Sequence, residues 1–279
     1  MLTPSIRAIV RIFSARYPEW RMVDIHCHLL PGLDDGPERM DQSVLMAEAA
    51  ITDGITCVVA TPHANDQHVF DPERIRRFRD ELQTTVGARL QIYTGCDFHM
   101  SYENLEAVRK DPARFTLNQK NYLLVEFANF SLPPFLDGAI HELQLQGLRV
   151  IITHPERTPL VRSRPERLHG WVTRGCYVQV TALSLSGRFG PEAQRAAEEF
   201  LDWNWIHFIA SDAHGLHGRP PRLSEAFKLV SRRSGPEVAQ GLFHDNPLAA
   251  CLGQPLPFVP EPAMPGSPVA GRRKRFGFF

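Results

Sequence analysis

The chain has 279 residues, 43% hydrophobic and 22% charged, which is enough apolar content for one large α/β domain. Its 31 basic residues balance 31 acidic ones, so no global positive field favours nucleic acid. No apolar run approaches the ~20 residues of a spanning helix, and five scattered cysteines without a C-x-x-C pair point to reduced thiols in a cytoplasm.

Residues 1–21 carry Arg7, Arg11, Arg16 and Arg21, and Arg11 interrupts the apolar segment that a secretory signal would need. The stretch reads as an extension ahead of the domain, with Met22 as an alternative start. From Met22 onward, strand-like and helix-like runs alternate. Strands are expected at Met22–His26, Thr56–Ala60, Leu90–Thr94, Tyr122–Phe127, Arg149–Thr153, Tyr177–Thr181 and Ile206–Ala210. Helices are expected at Asp41–Asp53, stopped by Gly54, and at Pro72–Val86, with Pro at its start and Ile75, Phe78, Leu82 and Val86 on one face. Further helices are expected at Ala139–Gln146, Pro165–Arg174, Pro191–Trp203, Pro221–Arg232 and Pro236–His244. Such alternation predicts parallel strands in a barrel or doubly wound sheet spanning residues 22–253. Residues 254–279 hold six prolines, then Arg272-Arg273-Lys274-Arg275 and three Phe; this tail is expected to be extended or disordered.

The apolar runs end on residues that ligate metals: Asp24-Ile-His26-Cys-His28, Thr61-Pro-His63, Gly95-Cys-Asp97, Leu-Val-Glu126, Thr-His154-Pro-Glu-Arg157 and Ser-Asp212-Ala-His214. Parallel strands side by side would bring those endings to one rim, where barrels of this kind place their sites. His26 and His28 are two apart, so a regular strand would point both to one face. His nitrogen and carboxylate oxygen suit Zn, Mn or Fe, and a site without thiolate leans to the harder of these. His68, His99, His141, His169, His207, His217 and His244 read as surface or core residues outside the site. Arg157 and Arg219 beside such a cluster suggest a phosphate ester, which arginine grips through paired bonds. Thiolate-dependent tyrosine phosphatases place Arg six positions after their Cys. Here the sixth residues after Cys27, Cys57, Cys96, Cys176 and Cys251 are Leu33, His63, Tyr102, Ala182 and Pro257, so that chemistry is excluded.

Together these residues resemble the PHP (polymerase and histidinol phosphatase) superfamily. More narrowly, the chain is similar to the bacterial manganese-dependent protein-tyrosine phosphatases encoded beside capsule and exopolysaccharide genes. The resemblance rests on Met22-Val-Asp-Ile-His-Cys-His-Leu-Leu-Pro-Gly-Leu-Asp-Asp-Gly36, Ala60-Thr-Pro-His63, Leu124-Val-Glu126-Phe, His154-Pro-Glu-Arg157 and Ala210-Ser-Asp-Ala-His214, and covers residues 22–250. It implies an α/β fold of the PHP type: a distorted (β/α)7, TIM-like barrel with a trinuclear metal site at its C-terminal rim. By the family pattern, His26, His28, Asp97 and Asp212 would bind one metal. Asp97, Glu126 and His154 would bind a second, and Asp35, His63 and His214 a third. Mn²⁺ is the expected ion, with Fe or Zn as alternatives, and Arg157 and Arg219 would clamp the phosphate. The bridging position is usually Glu in this family; Asp97 is one methylene shorter, and His99 would face the same side.

The resemblance further implies direct hydrolysis by metal-activated hydroxide, with no covalent enzyme intermediate. The substrate would be a phosphotyrosine protein, a membrane-bound bacterial tyrosine kinase of polysaccharide export. The enzyme would be cytoplasmic, recruited to the inner membrane face. Residues 272–279 would offer a peripheral membrane contact through basic and aromatic side chains. Two rival readings are another phosphoesterase on the same scaffold, acting on histidinol phosphate or a small molecule, and a non-catalytic metal-binding regulatory module.

Overall fold

The computed structural model describes residues 21–127 and 134–266. Nine short strands are present among them: β1 (Met22–Cys27), β2 (Ile55–Ala60), β3 (His63–Ala64), β4 (Gln91–Thr94), β5 (Asp97–His99), β6 (Tyr122–Glu126), β7 (Arg149–Thr153), β8 (Tyr177–Thr181) and β9 (Phe208–Ala210). All pair in parallel, as an α/β fold requires when helices supply the crossovers. One sheet has the order β1-β2-β4 and the other β3-β5-β6-β7-β8-β9.

The two sheets are continuous through the backbone. β2 leads into β3 across Thr61-Pro62, and β4 leads into β5 across Gly95-Cys96. Hydrogen bonds persist through these breaks: Thr61 N–H to Cys27 O at 2.9 Å, Gly95 N–H to Ala60 O at 2.9 Å and Asp97 N–H to Pro62 O at 3.1 Å. At the other side, the Asp212 N–H donates to His26 O and the His28 N–H to Ala213 O, both at 2.8 Å, so the last strand is tied to the first. Gly95 is required where β4 turns into β5, because a Cβ there would lie 2.9 Å from Leu117 Cδ2 and 3.1 Å from Val59 Cγ1.

Alternate strand residues divide between two apolar clusters. Val23, Ile25, Cys57, Val59, Tyr122, Leu124, Ile151 and Phe208 form the smaller one, enclosed by the strands, with Ala250 and Cys251 of helix Asn246–Cys251 against it. Val58, Ile92, Val125, Ile152, Val178 and Ile209 join the larger cluster beneath the surrounding helices. β1 departs from strict alternation. Its pairing is irregular between Asp24 and Cys27, and Cys27 falls in the outer cluster while Val23 and Ile25 fall in the inner. His26 lies within that irregular stretch, with its ring against Asp97 and Asp212.

The helices anchor locally. Asp71 caps Pro72–Val86 by accepting from the Glu73 and Arg74 N–H groups at 3.0 and 3.1 Å. Gly54, at φ 93°, ends Met40–Asp53. Asp53 at the end of that helix accepts from the Leu223 and Ser224 N–H groups, fastening the start of Ser224–Ser234. Two expectations need correction here. The final helix is not one run to His244: Pro236–Gln240 passes through a π-helical turn, Gly241–Asp245, into Asn246–Cys251. The helix expected from Pro221 begins at Ser224, where Asp53 supplies its partners. Strands β3 and β5 and helix Tyr102–Lys110 escape sequence patterning, since β3 and β5 are short and carry His63, Asp97 and His99.

Residues 254–263 run without regular secondary structure but are held to the fold. Gln254 O accepts from the Tyr122 hydroxyl at 2.7 Å, Asn246 brackets the Phe258 backbone through its side chain, and Trp205 Nε1 donates to Ala263 O at 2.8 Å. The basic-aromatic stretch 272–279 and nearly all of the N-terminal extension lie outside the described residues.

Candidate metal centre

Six of the nine candidate ligands sit at or just past the carboxyl end of a strand; His63 and Asp97 open β3 and β5, which continue β2 and β4, and Asp35 lies in the loop after β1. They converge. His26 Nε2 is 3.4 Å from both Asp97 Oδ2 and Asp212 Oδ1, and His28 Nε2 is 3.6 Å from Asp212 Oδ1. His63 Nδ1 is 3.1 Å from Asp97 Oδ2 and 3.6 Å from Glu126 Oε2. His154 Nε2 is 3.6 Å from Glu126 Oε1. Asp35 Oδ1 lies 3.2 Å from His214 Nε2 and 3.5 Å from His63 Nε2. Three overlapping groups could each hold a metal ion: His28, Asp35, His63 and His214; His26, His28 and Asp97; and His63, Asp97 and Glu126. Asp97 belongs to two of them, as a bridge would, and His63 and His28 are also shared.

The polar groups here lack ordinary partners. Asp97 is fully buried, and neither of its carboxylate oxygens makes a hydrogen bond; His63 Nδ1 and His214 Nε2 are likewise buried and unbonded. Burying a charge without partners is costly enough that native proteins pair it or coordinate it to a metal. Cations held in these groups would give such atoms the partners they lack, and the sulfur-free donor set suits a divalent ion of the Mn, Fe or Zn kind.

The electrostatics agree. Burial opposes ionisation of Asp97, yet His26 and His63 hold it well below the usual carboxylate range. Asp212 is also held low against its burial, by His26, His28, Arg157 and Arg219. Burial disfavours charged His26 and His63, but Asp97 with Asp212 or Asp35 lifts them to about 9 and about 11. Burial, reinforced by Arg157, pushes His154 well down, and burial with His28 lowers His214 to about 4. The carboxylates thus draw positive charge into the rim.

Outer partners fix the imidazoles. His26 Nδ1 lies 3.0 Å from Gln179 Oε1, and His28 Nδ1 is 2.6 Å from Asp34 Oδ2. Asp34 also accepts from the His63 and Gly36 N–H groups at 3.1 and 3.0 Å. Gly36 allows this fold-back, since a Cβ there would meet His28 O at 2.7 Å. His154 and Asp212 adopt left-handed backbone at φ 32° and 51°, a strained choice for side chains that sites retain when it aims them.

Residues 22–251 match the profile of the family described as capsular polysaccharide synthesis, CpsB/CapC. The chain belongs to this family. It is 32% identical over 262 residues to the tyrosine-protein phosphatase YwqE of Bacillus subtilis, covering 92% of this chain and all of that protein. It is 30% identical over 235 residues to the tyrosine-protein phosphatase CpsB of Streptococcus agalactiae serotype V, covering 81% of this chain and 96% of the relative. A crystal structure described with YwqE and Streptococcus pneumoniae CpsB as "unique metal-dependent tyrosine phosphatases" superposes with a TM-score of 0.80 at 32% identity, over 87% of this chain and 98% of that one.

In this CpsB/CapC chain the two arginines meet at one carboxylate. Arg157 Nη1 and Arg219 Nη2 both bond Asp212 Oδ2, whose other oxygen faces His26 and His28. Arg219 Nε adds a 3.2 Å bond to Asp212 O, and the Arg157 guanidinium lies 4.5 Å over the Phe189 ring. Asp212 therefore ties the arginines to the histidines. Asp34, Gln179 and Phe189 join the site through contacts that no sequence motif marks. A Gln flanked by Val178 and Val180 in β8 is the sequence signal for Gln179, and Asp34 adjoins Asp35. His99 Nδ1 stands 4.0 Å from Glu126 Oε2, at the edge of the cluster. All five cysteines are buried and unpaired, and burial drives Cys27 and Cys96 far from thiolate.

Proposed function

We propose that this chain is a metal-dependent protein-tyrosine phosphatase whose nine ligands hold three ions at one rim of a seven-stranded barrel. β2 with β3, and β4 with β5, would count as two broken strands of that barrel. The observation that carries the reading is the buried, hydrogen-bond-free Asp97 carboxylate between His26 and His63, with two arginines beside it. His26, His28, Asp35, His63, Asp97, Glu126, His154, Asp212 and His214 would be the ligands, and Mn²⁺ the preferred ion. When bound, such ions activate water and stabilise charge on a phosphoryl group.

The chain's own residues do the rest. Arg157 and Arg219 present charged N–H donors to the phosphoryl oxygens, a preorganised arrangement because Asp212 already fixes both guanidiniums. Asp34 and Gln179 hold the His28 and His26 rings in register. The phenolate leaving group, of conjugate-acid pKa ~10, needs less help from an acid than an alkoxide would. The relatives' names support phosphotyrosine as substrate; we further propose a membrane-bound tyrosine kinase as the protein that carries it, met at the cytoplasmic face of the membrane. Contact there would be aided by residues 272–279. No helix among the described residues is long and apolar enough to cross a membrane.

The test is hydrolysis of a phosphotyrosyl peptide, a phosphoseryl peptide and histidinol phosphate by purified protein. Chelation should abolish phosphotyrosine hydrolysis, Mn²⁺ should restore it, and thiol alkylation should leave most of it. Inactivation by alkylation together with indifference to chelators would overturn the reading. Full metal loading without turnover on any substrate would favour the non-catalytic module.

A further inference from the structure

A pocket of about 350 Å³ is lined by residues adjacent in sequence to Arg219 and to Phe189, the ring under Arg157. Its walls include Ala182 and Leu183 just after β8, Arg188, Pro220 and Arg222. The chain itself couples it to the phosphate end of the site. Arg188 precedes Phe189, the ring beneath Arg157, and Pro220 follows Arg219. Arg188 and Arg222 are exposed. No described acidic residue is ion-paired to either. Glu225 also lines the pocket, leaving two cations against one anion.

We propose that this pocket is a subsite for an anionic side chain near the phosphotyrosine in the substrate peptide. The inference rests on the phosphatase reading above and names the substrate it prefers. Two guanidiniums lining one pocket suit a planar carboxylate or a phosphate, each of which accepts paired N–H bonds. The walls supplied by Ala182, Leu183 and Pro220 would accept the methylenes or ring that carry such a group. Glu225 would oppose a second anion, which restricts the pocket to one such side chain. Neither arginine touches the candidate ligands, so the pocket would act on peptide selection and not on the reacting group.

The experiment uses metal-loaded full-length protein and phosphotyrosyl peptides alike except at the flanking positions, which carry Gln, Glu or a second phosphotyrosine. Wild-type kcat/KM should favour an anionic flank over Gln by about tenfold at low salt, and the ratio should fall toward one as salt screens exposed charge. The larger of the two anionic preferences identifies carboxylate or phosphate as the natural occupant. In the double variant R188Q/R222Q the ratio should drop to about one. Equal rates on Gln and anionic peptides in wild type would overturn the subsite while sparing the phosphatase reading. An undiminished ratio in R188Q/R222Q would also overturn it. If no phosphotyrosyl peptide is cleaved, the phosphatase reading fails and the subsite falls with it.

Discussion

Asp97 carries the sharpest prediction. Replacing it with Ala takes one of three donors from each of two candidate groups, leaving His26 with His28 in one and His63 with Glu126 in the other. Outer partners of metal ligands already cost 10–100-fold when lost, so losing a shared ligand should cost at least about 100–1000-fold in affinity. At 1.4 kcal/mol per tenfold that is about 3–4 kcal/mol. Bound metal stabilises the fold through its affinity, so the same 3–4 kcal/mol should vanish from the metal-induced gain while metal stays in excess. For a domain of this size, about 2–4 °C per kcal/mol makes the lost thermal shift about 6–16 °C. The assay is thermal unfolding of wild type and Asp97→Ala, each with chelator and with Mn²⁺. Comparing shifts removes the change in metal-free baseline that deleting a buried charge brings. Asp97→Glu keeps the charge, restores the residue usual in the resembled family, and should retain most of the shift. A full metal-induced shift in Asp97→Ala would remove Asp97 from the site and turn attention to His99.

Arg157→Ala and Arg219→Ala should each lower kcat by about 100-fold, as removal of a preorganised donor does, with the metal-induced thermal shift kept; wild-type kinetics in both would refute the clamp. Asp34→Asn should weaken metal binding about 10–100-fold in a calorimetric titration, because the His28 ring loses its carboxylate partner; unaltered affinity would show that the contact does not position His28. His207 predicts acid lability. Burial lowers its pKa from 6.5 to about 4, so between those values the unfolded chain holds the extra proton. The stability it contributes is therefore complete above pH 6.5 and declines as pH falls toward 4, by up to about 3 kcal/mol. His207→Gln, which keeps an acceptor for the Val178 N–H, should flatten that decline in urea titrations run in chelator at pH 7.5 and 4.5; equal declines in both proteins would sink the assignment.

The sequence by itself determined the alternation of strands and helices and which His and carboxylate residues are candidates for one site. Long periodic runs such as Pro72–Val86 and apolar runs such as Arg149–Thr153 carry their own signal, because burial of one face or of a whole strand imposes a spacing. The candidate ligands stand out because strand-ending His and carboxylate clusters repeat along the chain, and repetition multiplies a signal that any lone His would lack. What tertiary structure decided was mutual position. His26 sits where the pairing of β1 with β2 is irregular, a feature with no local pattern. β5 is three residues long and holds Asp97 by pairing with β3 and β6, so no periodicity could announce it. The meeting of Arg157 and Arg219 on Asp212 joins residues 55 positions apart with residues seven apart, and the anchoring of 254–263 on Tyr122, Trp205 and Asn246 likewise spans the chain. Contacts of that kind follow from which strands lie side by side. That arrangement is set by long-range packing, which the linear order of residues constrains only through the fold as a whole.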